Sequence, residues 1–179
     1  MAERHVVHRH RDVGDLSSLD AYRAVGGYRQ LERAVRALTP GDVTDIVSAS
    51  GLRGRGGAGF PTGRKWSLVP RDGRPRYVVV NCDESEPGTF KDHEIVSRNP
   101  HQMLEGAALA AYAVGASPVC VYCRGEWWHE MTLLRRAVSE ARSGGCLGAR
   151  LFGSDVRVEV AVLGGAGAYI CGEETALLS

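Results

Sequence analysis

From about residue 76 onward the chain alternates short β-branched runs with longer amphipathic stretches, and this rhythm limits the fold more than any other feature. Tyr77–Val80 has the residue types of a buried strand. Asn99-Pro100 opens a helix that should run to about Val114 and stop at Gly115, because proline suits a first helical turn and glycine a helix end. Val119–Tyr122 reads as a second strand and Trp128–Ser143 as a second helix, ending at Gly144-Gly145. Val156–Leu163 reads as a third strand, followed by a glycine-rich loop and a helix start at Glu173. Strands joined by crossovers of this length pair in parallel, so the class is α/β: a Rossmann-like parallel sheet covered by helices. Right-handed crossovers bring the carboxyl ends of all three strands to one edge, where such sheets bind ligands. Chemistry is therefore expected in the loops after Val80 and after Leu163.

Upstream, residues 1–27 carry little pattern and read as an N-terminal extension; residues 28–179 read as one α/β domain. His5, His8 and His10 fit a solvated tail better than a metal site, since no Cys or carboxylate completes the set. Tyr28–Leu38 places Leu31, Val35 and Leu38 at helical spacing. Thr39-Pro40-Gly41-Asp42 then supplies an N-cap, a first-turn proline and an early acid. Val43, Ile46 and Val47 form the apolar stripe, and Gly51 sits where a helix-ending glycine belongs.

Bulk properties exclude several classes. The net charge of +1 creates no field that would gather nucleic acid. No apolar run approaches the roughly 20 residues of a membrane span, and the polar N-terminus does not read as a secretory signal. Five cysteines, an odd number, point to free thiols in a reducing compartment, hence the cytoplasm. The 23 glycines cluster around Gly51–Gly63 and Gly164–Gly172, so two places need special backbone geometry.

Three stretches carry candidate chemistry. The first, residues 54–66, contains G-x-G-x-x-G at Gly54, Gly56 and Gly59, but a helix precedes it, which weakens the dinucleotide fingerprint. Its glycines allow backbone N–H groups to approach a phosphate or flavin, with Arg55, Arg64 and Lys65 supplying positive charge. A flexible surface loop would leave Phe60 and Trp66 exposed without purpose. The second, residues 81–89, crowds Asp83, Glu84 and Glu86 at a strand end, where carboxylates hold ribose hydroxyls and repel a 2′-phosphate. A solvated acidic turn explains that stretch equally well by itself. The third, Gly164 to Thr175, combines small residues with Tyr169, Glu173 and Glu174; a structural glycine turn explains it when taken alone. Cys120 and Cys123 form a C-x-x-C within a strand, where residues three apart face opposite ways, so buried thiols are expected. Trp127 and Trp128 read as packing anchors.

Taken together, GRGGAGFPTGRKW (54–66), NCDESEPGTFKD (81–92) and GAGAYICGEETALL (165–178) resemble the NADH-binding flavoprotein subunit of respiratory complex I, and the diaphorase subunits of NAD-linked hydrogenases and formate dehydrogenases. The likeness runs from about Gly27 to Ser179. It implies that residues 28–179 form an FMN- and NADH-binding domain, truncated before the family's ubiquitin-like and iron–sulfur helical domains. Gly54, Arg55, Gly56, Lys65, Asn81, Asp83, Tyr169, Gly172 and Glu173 would hold FMN; Gly57, Phe60, Glu86 and Glu174 would face NADH. Hydride would pass from NADH to FMN and electrons onward singly to iron–sulfur clusters and quinone, with no catalytic acid or base and no metal ligand in this chain. The ligands of the family's iron–sulfur cluster are absent. Implied partners are the other subunits of the peripheral arm, notably a thioredoxin-like iron–sulfur subunit, at the inner face of the plasma membrane; no nucleic acid is implied.

Leu68, Cys82, His93 and Gly164 stand where the family commonly has Phe, Ala, Arg and Arg. Ser179 falls within an apparent helix, so the chain reads as cut. The rival reading is a truncated remnant that binds nucleotide or a partner without flavin chemistry. Nothing in these residues separates complex I from a hydrogenase or formate dehydrogenase module.

Overall fold

The computed structural model describes His10 and residues 12–178; His5, His8 and Ser179 lie outside the described residues. Three parallel strands, β1 (Val78–Cys82), β2 (Pro118–Cys123) and β3 (Glu159–Gly164), lie side by side in chain order. The register pairs Val78 with Val119 and Val119 with Val160, so each strand ends level with its neighbour. β1 begins one residue later than the β-branched run suggested and continues through Asn81 and Cys82. The acidic stretch therefore starts inside the sheet.

Between strands run α5 (Lys91–Arg98), α6 (Pro100–Val114) and α7 (Trp128–Ser143), and the last two match the sequence reading residue for residue. Pro100 occupies the first turn of α6, and Gly115 ends it in the left-handed region at φ 69°, as a helix-stopping glycine does. α6 and α7 bury Leu104, Ala108, Ala111, Leu134, Ala137 and Ala141 against one face of the sheet, where Val119, Val121, Val158 and Val160 meet them. The opposite face is open, so β1 is not the buried strand that the run Tyr77–Val80 suggested. Val79, Ala161 and Leu163 lie exposed there, beside the half-buried Cys120 and Tyr122.

The N-terminal helices pack over α6. α3 (Pro40–Ala49) carries the full capping box: Asp42 N–H donates to Thr39 Oγ1 at 3.2 Å, and Thr39 N–H donates to the Asp42 carboxylate at 2.8 Å. Its buried stripe is Val43 and Thr44, whereas Ile46 faces solvent. α2 (Arg29–Ala37) starts at Tyr28, a buried non-glycine residue at φ 62° with no cap of its own. Glu105 of α6 does that work, accepting from Tyr28 N–H at 2.9 Å, Leu31 N–H at 3.2 Å and Tyr22 Oη at 2.5 Å. A carboxylate so deeply placed is tolerable only because three donors meet it. Within residues 12–27, α1 (Leu19–Ala24) buries Leu19 and Tyr22 in the same core.

Candidate functional site

β1 and β3 flank β2, so the loops that follow them can reach each other only across its carboxyl end. They do so at several points. Asn81 Nδ2 donates to the Gly172 carbonyl at 2.6 Å, and Asn81 Oδ1 accepts the Asp83 amide at 3.1 Å. Tyr169 Oη donates to the Glu86 carboxylate, an interaction that raises the tyrosine's pKa. Between the two loops, Gly165 N–H donates to the Cys123 carbonyl and Arg124 N–H to the Cys82 carbonyl, at 2.8 and 3.1 Å, extending the parallel ladder beyond the strands. Position 172 is tight, since a Cβ there would stand 3.0 Å from the Asp83 carbonyl oxygen.

One feature of this edge bears directly on a flavin. Asp83 Oδ1 accepts from Ser85 Oγ at 2.7 Å, but Asp83 Oδ2 is shielded from solvent and has no hydrogen-bond partner. A shielded, unpartnered carboxylate oxygen is costly unless a donor is brought to it, and a polyhydroxylated ligand would bring one. The residues present therefore fit the group that the resemblance implies.

Glu173 and Glu174 behave differently. The Glu173 carboxylate turns back onto α8 (Glu174–Leu178), accepting from Thr175 N–H at 3.0 Å and Ala176 N–H at 3.3 Å. The Thr175 amide bond is the main reason its pKa is lowered. Glu174, the first residue of α8, is exposed. The helix begins one residue after the start read from sequence, and a 3₁₀ turn at Tyr169–Gly172 precedes it.

The glycine loop 54–60 lies between α3 and α4 (Thr62–Ser67). Gly54 N–H donates to the Phe60 carbonyl at 2.9 Å, Thr62 N–H to the Leu52 carbonyl at 2.9 Å, and Arg53 Nη1 to the Gly59 carbonyl at 3.0 Å. These bonds close the loop on itself, and none of them reaches the sheet edge. Gly56, Gly57 and Gly59 open onto clear space, with no atom within 4 Å of where a Cβ would sit. Arg55 and Lys65 are exposed. The aromatics divide. Phe60 is 44% exposed with the Arg64 guanidinium 5.8 Å from its ring centre, whereas Trp66 packs into the core for structural reasons. Trp66 therefore does not support the ligand reading. The tryptophan pair at the start of α7 divides likewise: Trp127 packs against the core, but Trp128 is 75% exposed and is not the packing anchor the sequence suggested.

The thiols are unpaired, with Cys82 and Cys123 buried side by side in register. Among the described residues no group of three or more His, Cys, Asp or Glu side chains could hold a metal ion. No described helix is long and apolar enough to cross a membrane. Sequence reasoning gave Glu84 and Arg124 no individual role, yet both are fixed elements of this edge. Glu84 is buried and accepts from two amides of α5, and Arg124 Nη1 donates to the Glu84 carbonyl at 2.8 Å. The signal was faint, since α5 has a single buried residue, Val96, and shows no apolar stripe.

The family model described as the Nuo51 FMN-binding domain matches residues 47–179. The chain belongs to that family. It is 51% identical over 174 residues to the second F-type subunit of the NADH-quinone oxidoreductase of Rhizobium meliloti (strain 1021), covering 97% of this chain and 41% of that protein. It is 50% identical over 161 residues to the F-type subunit of the NADH-quinone oxidoreductase of Aquifex aeolicus (strain VF5), covering 90% of this chain and 38% of the relative. The chain thus spans about two fifths of the length of these relatives. Among solved structures it is similar to an NAD⁺-reducing [NiFe]-hydrogenase in the H₂-reduced state. That match has a TM-score of 0.74 and 34% identity, and it covers 92% of this chain and 28% of the other.

Proposed function

We propose that this chain provides the sheet-edge part of an FMN and NADH site in an NADH:quinone oxidoreductase flavoprotein subunit. The observation that carries the reading is the tie between Asn81 and Gly172, which brings two loops together beside the unpartnered Asp83 Oδ2. When bound, FMN supplies hydride acceptance from NADH and release of electrons one at a time toward iron–sulfur centres and quinone. The chain's own residues bind and orient. Asn81, Asp83, Tyr169, Gly172 and Glu173 hold the flavin side. Gly54, Arg55, Gly56 and Lys65 offer backbone N–H groups and positive charge to its phosphate. Gly57, Phe60, Glu86 and Glu174 face the nicotinamide nucleotide, and the two carboxylates disfavour a 2′-phosphate by like-charge repulsion. No side chain is required as a general acid or base.

Identity near 50% to quinone-linked relatives, against 34% to the hydrogenase, favours the quinone-linked assembly. In that assembly the chain would sit in a peripheral arm at the inner face of the plasma membrane, beside a thioredoxin-like iron–sulfur subunit. The test is anaerobic titration of the complete flavoprotein subunit carrying this sequence. NADH is expected to bleach the flavin absorbance, and NADPH to do so at least about tenfold more slowly. A complete subunit that takes up no flavin would contradict the proposal.

A further inference from the structure

We propose that Glu84 is a positioning residue for the nicotinamide nucleotide: its buried carboxylate fastens the acidic loop to α5, so that Glu86 is held at the sheet edge. This rests on the function proposed above. The side chain of Glu84 is 2% exposed, and each carboxylate oxygen accepts one first-turn amide of α5. Asp92 N–H donates to Oε1 at 3.0 Å and His93 N–H to Oε2 at 3.1 Å. These are donors that a helix start leaves without intrahelical partners, and a negative charge there also meets the positive end of the helix dipole.

A helix is normally capped by the residue just before it. Phe90 holds that place in α5; it makes no side-chain cap bond and is 71% exposed. The cap comes instead from eight and nine positions upstream, so residues 84–92 close into a ring. The main chain of Glu84 is held as well. Arg124, just beyond β2, donates Nη1 to its carbonyl at 2.8 Å, and the Arg124 amide donates to the Cys82 carbonyl at 3.1 Å. Side chain and main chain are thus gripped from two different elements. A cap needed only for the stability of α5 could be a serine or aspartate at position 90. Placing it at position 84 makes the loop and the helix one unit, and Glu86, the acid assigned to the nucleotide, lies two residues beyond the anchor. Lys91 Nζ, 3.8 Å from Glu84 Oε1, partly balances the buried charge.

The experiment uses the complete flavoprotein subunit, with steady-state NADH and NADPH oxidation, flavin content and melting temperature. Glu84→Ala is expected to raise KM for NADH about tenfold, leave kcat within about twofold and lower the NADH-over-NADPH preference in proportion. Glu84→Gln keeps one acceptor oxygen and should return KM to within about threefold of wild type. Thr39→Ala, which removes a cap on distant α3, should lower the melting temperature with KM and preference unchanged. If Glu84→Ala does not fold, Arg124→Ala releases the same loop from its other anchor and should show the same rise in KM. A Glu84→Ala protein that melts lower yet keeps wild-type KM and preference would overturn the inference alone. A wild-type subunit that does not oxidise NADH would bring down the functional reading as well.

Discussion

At the carboxyl edge of the sheet, Asn81 is bonded to Gly172 and Glu86 to Tyr169, so loops from two strands hold one another before any ligand arrives. The glycine loop 54–60 is built the opposite way: its bonds return to itself, and clear space lies over Gly56, Gly57 and Gly59. One region is pre-organised by cross-strand contacts, and the other offers donors and positive charge that a ligand must gather in. Arrangements of the first kind lower the ordering cost of binding, while those of the second kind meet it at the moment of contact. Residues at the edge should therefore affect fold and ligand together, and residues in the glycine loop should affect the ligand alone.

The largest expected effect tests where the glycine loop is seated. Gly63, the second residue of α4, is buried against α3, and a Cβ there would stand 2.6 Å from the Ser48 amide nitrogen. Gly63→Ala must push α4 off α3, and overpacking of that kind costs about 1–3 kcal/mol. Denaturant titration should show it; a loss within about 0.5 kcal/mol would mean that α4 is not seated on α3 as described.

A second pair of variants compares the two regions directly. At Gly172 an added Cβ would meet the Asp83 carbonyl oxygen at 3.0 Å and Asp83 Oδ2 at 3.4 Å, so Gly172→Ala should weaken stability and flavin affinity together. At Gly56 it would meet nothing within 4 Å. Gly56→Ala should therefore leave stability within about 0.5 kcal/mol while still weakening flavin binding. Equal losses of stability in both variants would erase the distinction between the regions.

The smallest effect lies outside both regions and sets the background against which they are read. His101 is fully buried, with Nδ1 3.1 Å from Tyr28 Oη and Nε2 3.4 Å from Glu140 Oε2. Burial pushes its pKa below the ordinary 6.5, more strongly than Glu140 pulls it up. The unfolded chain then takes the proton first, so stability present above pH 6.5 is lost as the pH falls below that value. Melting temperatures should decline over that window in the wild type and decline less in His101→Gln.

Much of this arrangement was legible in the sequence because local rules and tertiary packing agree. Pro100 and Gly115 bound α6, Thr39 and Asp42 start α3, and the β-branched runs with their long crossovers give a parallel sheet, though not its strand order. What was not legible depends on long-range partners. α5 has a single buried residue and is capped from Glu84, and Tyr28 adopts a left-handed conformation under the Glu105 carboxylate, 77 residues away. No local pattern marks either. The motifs named candidate site residues, but not that the Glu173 carboxylate would turn back onto the amides of its own helix.

The division of roles between the neighbouring glutamates Glu173 and Glu174 gives the most direct test of the account. The measurement is kcat/KM for NADH and NADPH, together with flavin absorbance, in the complete subunit carrying Glu174→Ala or Glu173→Ala. Glu174→Ala is expected to raise NADPH oxidation about tenfold with flavin content unchanged. Glu173→Ala is expected to lower flavin occupancy without any gain for NADPH. A Glu174→Ala subunit that loses flavin and gains no NADPH activity would contradict the division of the site into a flavin side and a nucleotide side.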